Sequence, residues 1–441
     1  MIGGWLLIAG GLGAATRLLQ RVPALRDAAG VDGPLGQAGA VDADGAVDAA
    51  GPVADLLVVI PARNEGAVIR ALLSDLAAQD VRPSRVVVVA DECTDNTEAE
   101  VEAFAAGAGP LPVVLERGEP TPPGWNPKSW ALHQGVGDAV EARLLFLDAD
   151  VRLAPGAIST LLRLHHRCGG LLSVAPLHDT GSGAEVLSLP FNLVAIMGAA
   201  GPVAPRHAGA GSAHAAFGPC LLIGNEEYRH QGGHRAVAGE LLDDVALARH
   251  CRDGGVALWL CRGGDLVRYR MYPDGMASLV EGWTKNIALG ARCTPPANAV
   301  AVALWITALL MPLRAVAGAR SAEAVVRALR YWLVVAVHTG WSARRVGRFG
   351  RLAAPGAPVW ALLFTAVAAR SAVLAMLGRP VRWKGRNLRD GHGVTDAPTA
   401  ADPAARSCAV VPDNAMGIHT ERNGMATGGS GDWRGSARVW P

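Results

Sequence analysis

Three short runs without a polar residue constrain this chain most: residues 56–60 (LLVVI), 86–90 (VVVVA) and 144–147 (LLFL). Each is short for a helix, and each gives way at once to polar residues. A strand with one wet face alternates in polarity, whereas a wholly apolar strand is buried on both faces. Between the first two runs, Val68, Ile69, Leu72, Leu73 and Leu76 recur at helical spacing. Buried strands alternating with amphipathic helices predict a parallel α/β sheet. Ligands of such sheets bind at the carboxyl ends of the strands. The polar clusters of this sequence stand at those ends.

The flanks have a different texture. Residues 2–19 are apolar and are closed by Arg17 and Arg21. Positive charge comes after the apolar run instead of before it, so an uncleaved anchor is expected, with the downstream residues on the cytoplasmic side. Residues 1–21 are read as that anchor and 22–54, mostly Ala, Gly, Asp, Val and Pro, as a low-complexity linker. Residues 55–296 form the α/β domain. Segments 297–313 and 358–377 approach the roughly 20 residues of a membrane span. Residues 331–341 are shorter and flanked by Arg327, Arg330, Arg344, Arg345, Arg348 and Arg351, so they either span or lie in the interface. Two or three membrane segments therefore fall within 297–380, and 381–441 read as a basic stretch and then a disordered tail.

The charge balance, 41 basic against 39 acidic residues, offers no concentrated basic face for a nucleic acid. The seven cysteines are scattered without a CxxC pair, which argues against a disulfide framework and for a reducing compartment. His165, His166, His207 and His214 belong to no HExxH helix and read as structural or solvent-facing. P-loop, GxSxG and strand-linked GxGxxG signatures are missing, which weakens kinase, hydrolase and dehydrogenase readings.

Five clusters carry the chemistry. Pro61, Arg63 and Glu65 come after the first strand, where a loop can offer backbone groups and a carboxylate to a ribose or base; a plain strand-to-helix turn explains them equally well. Asp91 comes after the second strand and suits a nucleotide base, with Asp95 as the cap of a helix starting near Thr97. Asp148-Ala149-Asp150 closes the third. If the extended form persists, both carboxylates project the same way and suit Mg2+ or Mn2+, which prefer oxygen ligands; a lone DxD is more often capping or turn-forming aspartate, but its place after an apolar strand, third in a series of such ends, favours the metal. Asp243-Asp244 open a helical pattern; they read as acids at a helix N-terminus, or as a tuned general base at Asp244. Trp283 and Lys285 precede the membrane segments as an interfacial anchor or an acceptor-side element, and Lys128 is a further cation for phosphates.

Taken in order, these clusters resemble the family 2 glycosyltransferases with a GT-A fold, over roughly residues 55–295. Pro61 to Glu65 and Asp91 look like the family's donor-site loops, and Asp148-Ala149-Asp150 like its DxD. Residues 224–234, with Gly232 and Gly233, resemble the acceptor-side segment, and Asp243-Asp244 stand where the family carries Glu-Asp. The QxxRW motif is missing, and Gly282-Trp283-Thr284-Lys285-Asn286 stands near its place. That element, with the apolar segments and Trp383-Lys384-Gly385-Arg386 after it, is similar to the branch that glycosylates carotenoid acids, the diaponeurosporenoate glycosyltransferases.

The resemblance implies a GT-A Rossmann-like nucleotide-sugar domain plus transmembrane helices in the cell membrane, multi-pass, with its catalytic domain cytoplasmic. It implies an inverting enzyme using UDP-glucose and a lipid acceptor. Glu65, Asp91 and Lys128 would hold the nucleotide, Asp148 and Asp150 the metal, and Asp244 would be the base. A polyprenyl phosphate or another glycolipid is the alternative acceptor. A non-catalytic scaffold that binds nucleotide sugar is the alternative of another class. A transporter would need polar groups in its spans, with His338 the main candidate.

Overall fold

The structure, a computed structural model, describes residues 2–30, 53–107, 109, 111–201, 213–377, 381–383, 386–389 and 393–394. The low-complexity stretch at 31–52, His207, Lys384, Gly385 and the tail beyond Val394 lie outside the described residues.

Two helices come first, α1 (Ile2–Gln20) and α2 (Leu25–Ala29), the latter within the stretch expected as linker. The apolar runs are strands β1 (Val53–Ala62), β2 (Arg82–Ala90) and, after β3 (Val113–Arg117), β4 (Arg143–Leu147). Helices α3 (Ile69–Ala77), α4 (Thr97–Gly107) and α5 (Pro127–Val136) connect them. These four strands pair in parallel in the order β3-β2-β1-β4. Leu57, Val58, Val86, Val88 and Leu144 are fully buried, as strands covered on both faces require. The chain steps outward from β1 to β3, then returns to the other side of β1 with β4. In open α/β sheets a reversal of this kind is where ligands bind, here at the carboxyl ends of β1 and β4.

Beyond β4 come β5 (Val151–Leu153), α6 (Ala157–Cys168), β6 (Leu171–Ala175) and β7 (Leu177–Asp179). Next are α7 (Gly183–Val186), α8 (Leu189–Ala199), β8 (Cys220–Gly224), α9 (Asn225–His230) and α10 (Asp243–Asp253). The strands β9 (Leu258–Arg262) and β10 (Val267–Tyr269) lead to α11 (Met276–Cys293). The main sheet continues β4-β8-β6-β9, and β8 runs antiparallel to both of its neighbours. The sheet is therefore mixed, where the apolar runs predicted a parallel one. Burial on both faces is the same for either strand direction, so the sequence pattern does not encode it.

The C-terminal part is helical: α12 (Pro296–Ala317), α13 (Ala322–Val346) and α14 (Ala353–Met376). A short strand, β11 (Gly347–Arg348), precedes α14 and pairs with β7 in a small sheet of order β11-β7-β10-β5. Helices α1, α12 and α14 are long and apolar enough to cross a membrane, by length and composition. The doubtful segment at 331–341 is the middle of α13, which takes in Arg327, Arg330, Arg344 and Arg345. Helix α1 lies against α12 so closely that a Cβ at Gly11 would overlap the Leu304 backbone. Ile8, Leu12, Ala15, Leu18 and Leu19 of α1 share one apolar cluster with Leu57 and Val59 of the sheet.

Candidate active site

The end of β1 accommodates Pro61 because β1 pairs with β4 only as far as Val59, so no ladder partner on that side needs its amide. The next residues turn sharply, with Asn64 at φ 54°, a left-handed value that asparagine tolerates. The loop is stitched to the one after β2. Thr94 donates its N–H to Asn64 Oδ1 (2.8 Å), Glu65 to Thr97 Oγ1 (2.8 Å) and Gly66 to Asp95 Oδ2 (3.0 Å). Arg63 donates to the Asp91 carbonyl and to Glu92 Oε2, both at 3.1 Å, and its Nη1 lies 3.7 Å from Asp91 Oδ2. The two loops thus form one wall. Asp95 accepts from the Thr97 N–H at the head of α4, the capping role read from the sequence, and its hydrogen bonds outweigh burial to lower its pKa.

At the end of β4 the extended form stops. Asp148 donates its N–H to the Pro219 carbonyl (3.1 Å), and Val151 donates back to the Asp148 carbonyl (3.1 Å). Asp148 and Asp150 therefore flank a turn and are not alternate positions of a continuous strand. The Asp148 amide bond to Pro219 extends the antiparallel β4–β8 register by one pair, and the turn follows it, closed by the Val151 amide on the Asp148 carbonyl. Both carboxylates still act on one group, the buried hydroxyl of Tyr269, whose pKa rises through burial first and then through Asp150 and Asp148.

Lys128 stands in the first turn of α5, which Asn126 caps by accepting the Lys128 N–H (3.0 Å). Its Nζ lies 2.6 Å from Asp148 Oδ1. Burial works against the ammonium, but Asp148, Asp243 and Asp244 together outweigh it and raise its pKa. Asn126 also donates to the Glu240 carbonyl (2.9 Å), which ties α5 to the approach to α10.

Asp243 and Asp244 are the first residues of α10, and Asp243 is buried. Asp244 accepts the Gly218 N–H at Oδ2 (2.6 Å) and the Val245 N–H at Oδ1 (2.9 Å). Burial, then the neighbouring Asp243, push its carboxyl up to about 6 against the opposing pull of Lys128 and these two amides. Lys285, on α11, completes the cluster. Burial lowers its pKa, with Asp243 the first of the opposing charges. Beneath lies His234, buried and pushed down to about 4 by burial, with Asp243 and Lys128 among its charged neighbours.

The acceptor-side residues divide. Lys285 faces the carboxylates, whereas Trp283 stacks on Phe191 (5.1 Å between ring centroids) beside Phe364. Two residues apart on a helix is about 200°, so they point to opposite sides. Gly232 and Gly233 (φ 76° and 55°) shape the turn into a 3-10 helix at Gly233–Val237. A Cβ at Gly233 would overlap the Tyr228 ring, so its glycine is explained by packing. Gly218, Pro219 and Tyr269 belong to none of the sequence clusters, and His234 gave no sign of a place beneath the carboxylates. The only signal near the first two is a Gly-Pro dipeptide ahead of an apolar run.

Among the described residues, no group of three or more His, Cys, Asp or Glu side chains gathers at metal-ligand spacing. Asp148 and Asp150 are hard oxygen donors beside two lysines. That set fits a Mg2+ or Mn2+ ion held by one or two carboxylates plus substrate phosphates, not an all-protein cage.

A family model described as "Glycosyl transferase family 2" matches residues 57–183. A 4,4'-diaponeurosporenoate glycosyltransferase of Staphylococcus aureus (strain USA300) is 32% identical over 340 residues, 75% of this chain and 87% of that protein. Among solved structures, a mannosyltransferase from Pyrobaculum calidifontis in complex with GDP-Man and Mn2+ aligns with a TM-score of 0.46 at 17% identity, covering 85% of this chain and 97% of that one. Glucosyl-3-phosphoglycerate synthase from Mycobacterium tuberculosis aligns with a TM-score of 0.35 at 20% identity, covering 55% of this chain and 79% of that one.

Proposed function

This chain belongs to the family 2 glycosyltransferases, and from that premise we propose that it moves glucose from UDP-glucose to the carboxylate of an apolar, carotenoid-like acid. The observation that carries this reading is the meeting of Lys128, Asp148, Asp243, Asp244 and Lys285 at the carboxyl end of β4. The acceptor class rests on the S. aureus relative, whose name specifies a carotenoid acid.

In this reading Pro61, Arg63, Glu65 and Asp91 shape the wall that takes the nucleotide. Lys128 and Lys285 offer positive charge to the diphosphate. Asp148 and Asp150 would hold Mg2+ or Mn2+, which when bound supplies Lewis-acid neutralisation of the diphosphate. Gly232 and Gly233 set the course of the acceptor-side segment, Asp243 tunes Asp244, and Trp283 borders the acceptor. The acceptor oxygen attacks the anomeric carbon from the face opposite the diphosphate. One C–O bond forms as the other breaks, the nucleoside diphosphate leaves, and the configuration inverts. A hydroxyl acceptor would give its proton to Asp244, whereas a carboxylate has none to give, so there Asp244 only orients.

Residues 1–21 and 297–380 would hold the enzyme in the cell membrane with the domain at 55–296 on the cytoplasmic side, as Arg17 and Arg21 after the first apolar helix favour. The test is nucleoside diphosphate release from a panel of nucleotide sugars by membranes containing the protein, with Mn2+, with and without a polyene carboxylic acid. Acid-dependent release with UDP-glucose that vanishes in Asp150→Ala supports the reading. Donor binding without release from any donor would overturn it.

A further inference from the structure

Tyr272, in the loop between β10 and α11, stands out on three counts. Its φ is 60°, a left-handed value that is an outlier for a large aromatic residue and is held only where the surroundings impose it. It is 5% exposed, yet its hydroxyl has no hydrogen-bond partner among the described residues. Buried hydroxyls are paired in folded proteins unless a ligand or water completes them. The third count is on α11, where a Cβ at Gly282 would overlap the Tyr272 ring, so glycine there is what lets the ring in.

The surroundings say what could complete the hydroxyl. Asp150 and Tyr269 are among its neighbours. Trp283 is 6.0 Å away between ring centroids, and its buried indole N–H likewise has no partner among the described residues. Around them Phe191, Leu279, Phe364 and Val367 make an apolar cluster shared by α8, α11 and α14. Such walls suit a hydrocarbon and not a nucleotide. A buried donor in an apolar cluster, with Asp150 of the DxD turn among its neighbours, matches an apolar molecule with oxygen at its reacting end.

We infer that Tyr272 is an acceptor-binding residue. Its hydroxyl donates to the terminal oxygen of the acceptor, and the acceptor's chain runs along the apolar cluster of α8, α11 and α14, with Trp283 bordering that chain. This rests on the proposed glycosylation of an apolar acid.

The test is Tyr272→Phe in the full-length protein in detergent micelles, because phenylalanine keeps the ring and adds no backbone strain of its own. The probe is tritiated all-trans-retinoic acid, a polyene carboxylic acid, measured by equilibrium binding. Thermal melting and UDP-glucose turnover are measured alongside. The variant is expected to bind the probe roughly tenfold more weakly or worse, as for loss of a hydrogen bond to a charged oxygen. It should melt no lower than the wild type, since an unpaired hydroxyl has been removed. Gly282→Ala, which displaces the ring while keeping the hydroxyl, should weaken binding similarly. Unchanged affinity in Tyr272→Phe, or no probe binding by the wild type, overturns the inference. If the wild type turns over no donor but the affinities split as expected, the proposed activity fails and the binding role of Tyr272 stands.

Discussion

Asp244 combines a carboxylate raised to about 6 with two backbone amides that fix both of its oxygens. As a base it must be ionised, so transfer to a hydroxyl acceptor should fall as pH drops below about 6. Transfer to a carboxylate acceptor should lack that limb, since no proton is removed. Asp244→Asn sharpens the contrast: roughly 10²–10⁴-fold slower with a hydroxyl acceptor, the usual contribution of a general base, and far less with an acid. Initial rates across pH with the two acceptor classes check both statements. Lys128 pulls the Asp244 pKa down, so Lys128→Met should move the hydroxyl-acceptor limb to higher pH and weaken nucleotide-sugar binding. A limb that stays in place would separate Lys128 from the base.

The turn segment 218–219 joins two elements of the site. Gly218 holds Asp244 through its amide, and Pro219 takes the Asp148 amide through its carbonyl. A Cβ at Gly218 would lie 2.9 Å from Asp244 Oδ2, so Gly218→Ala must displace the carboxylate. Turnover with a hydroxyl acceptor should drop about 10–100-fold, as misplacement of a reacting group by a fraction of an ångström does. UDP-glucose affinity, measured by calorimetry, should hold within about twofold. The strand-end clusters at 61–65, 91–95 and 148–150 were legible because apolar runs mark buried strands and polar residues mark their ends. The helix start at Asp243 was legible for a similar reason. The segment 218–219, Tyr269 and Tyr272 were not, because their roles arise from contacts between elements distant in sequence. Extended end and turn were both open at Asp148-Ala149-Asp150, since aspartate is at home in either, and only the contacts of the folded chain decide for the turn.

At the scale of the molecule, α1 is part of the core. Ile8, Leu12, Leu18 and Leu19 are buried in the cluster that includes the sheet. At about 1.5–3 kcal/mol for each such side chain, their loss rivals the roughly 5–15 kcal/mol of a domain's whole stability. Deleting residues 2–20 should therefore yield aggregated protein rather than a soluble catalytic domain, as size-exclusion chromatography in detergent would show. The sequence marked 2–19 and the C-terminal segments as apolar but held no sign of this packing, because composition reports that a face is apolar and not what covers it.

Buried Arg262, at the end of the edge strand β9, donates through Nε to the Val22 carbonyl (2.7 Å) and through Nη1 to the Arg345 carbonyl (3.2 Å), while its own amide reaches the Pro23 carbonyl (2.8 Å). In the order of synthesis, Val22 leaves the ribosome among the first residues, Arg262 later and Arg345 later still. The edge of the sheet can therefore close on Val22 and Pro23 as soon as β9 is made, and the bond to Arg345 adds a clasp that only the arrival of α13 completes.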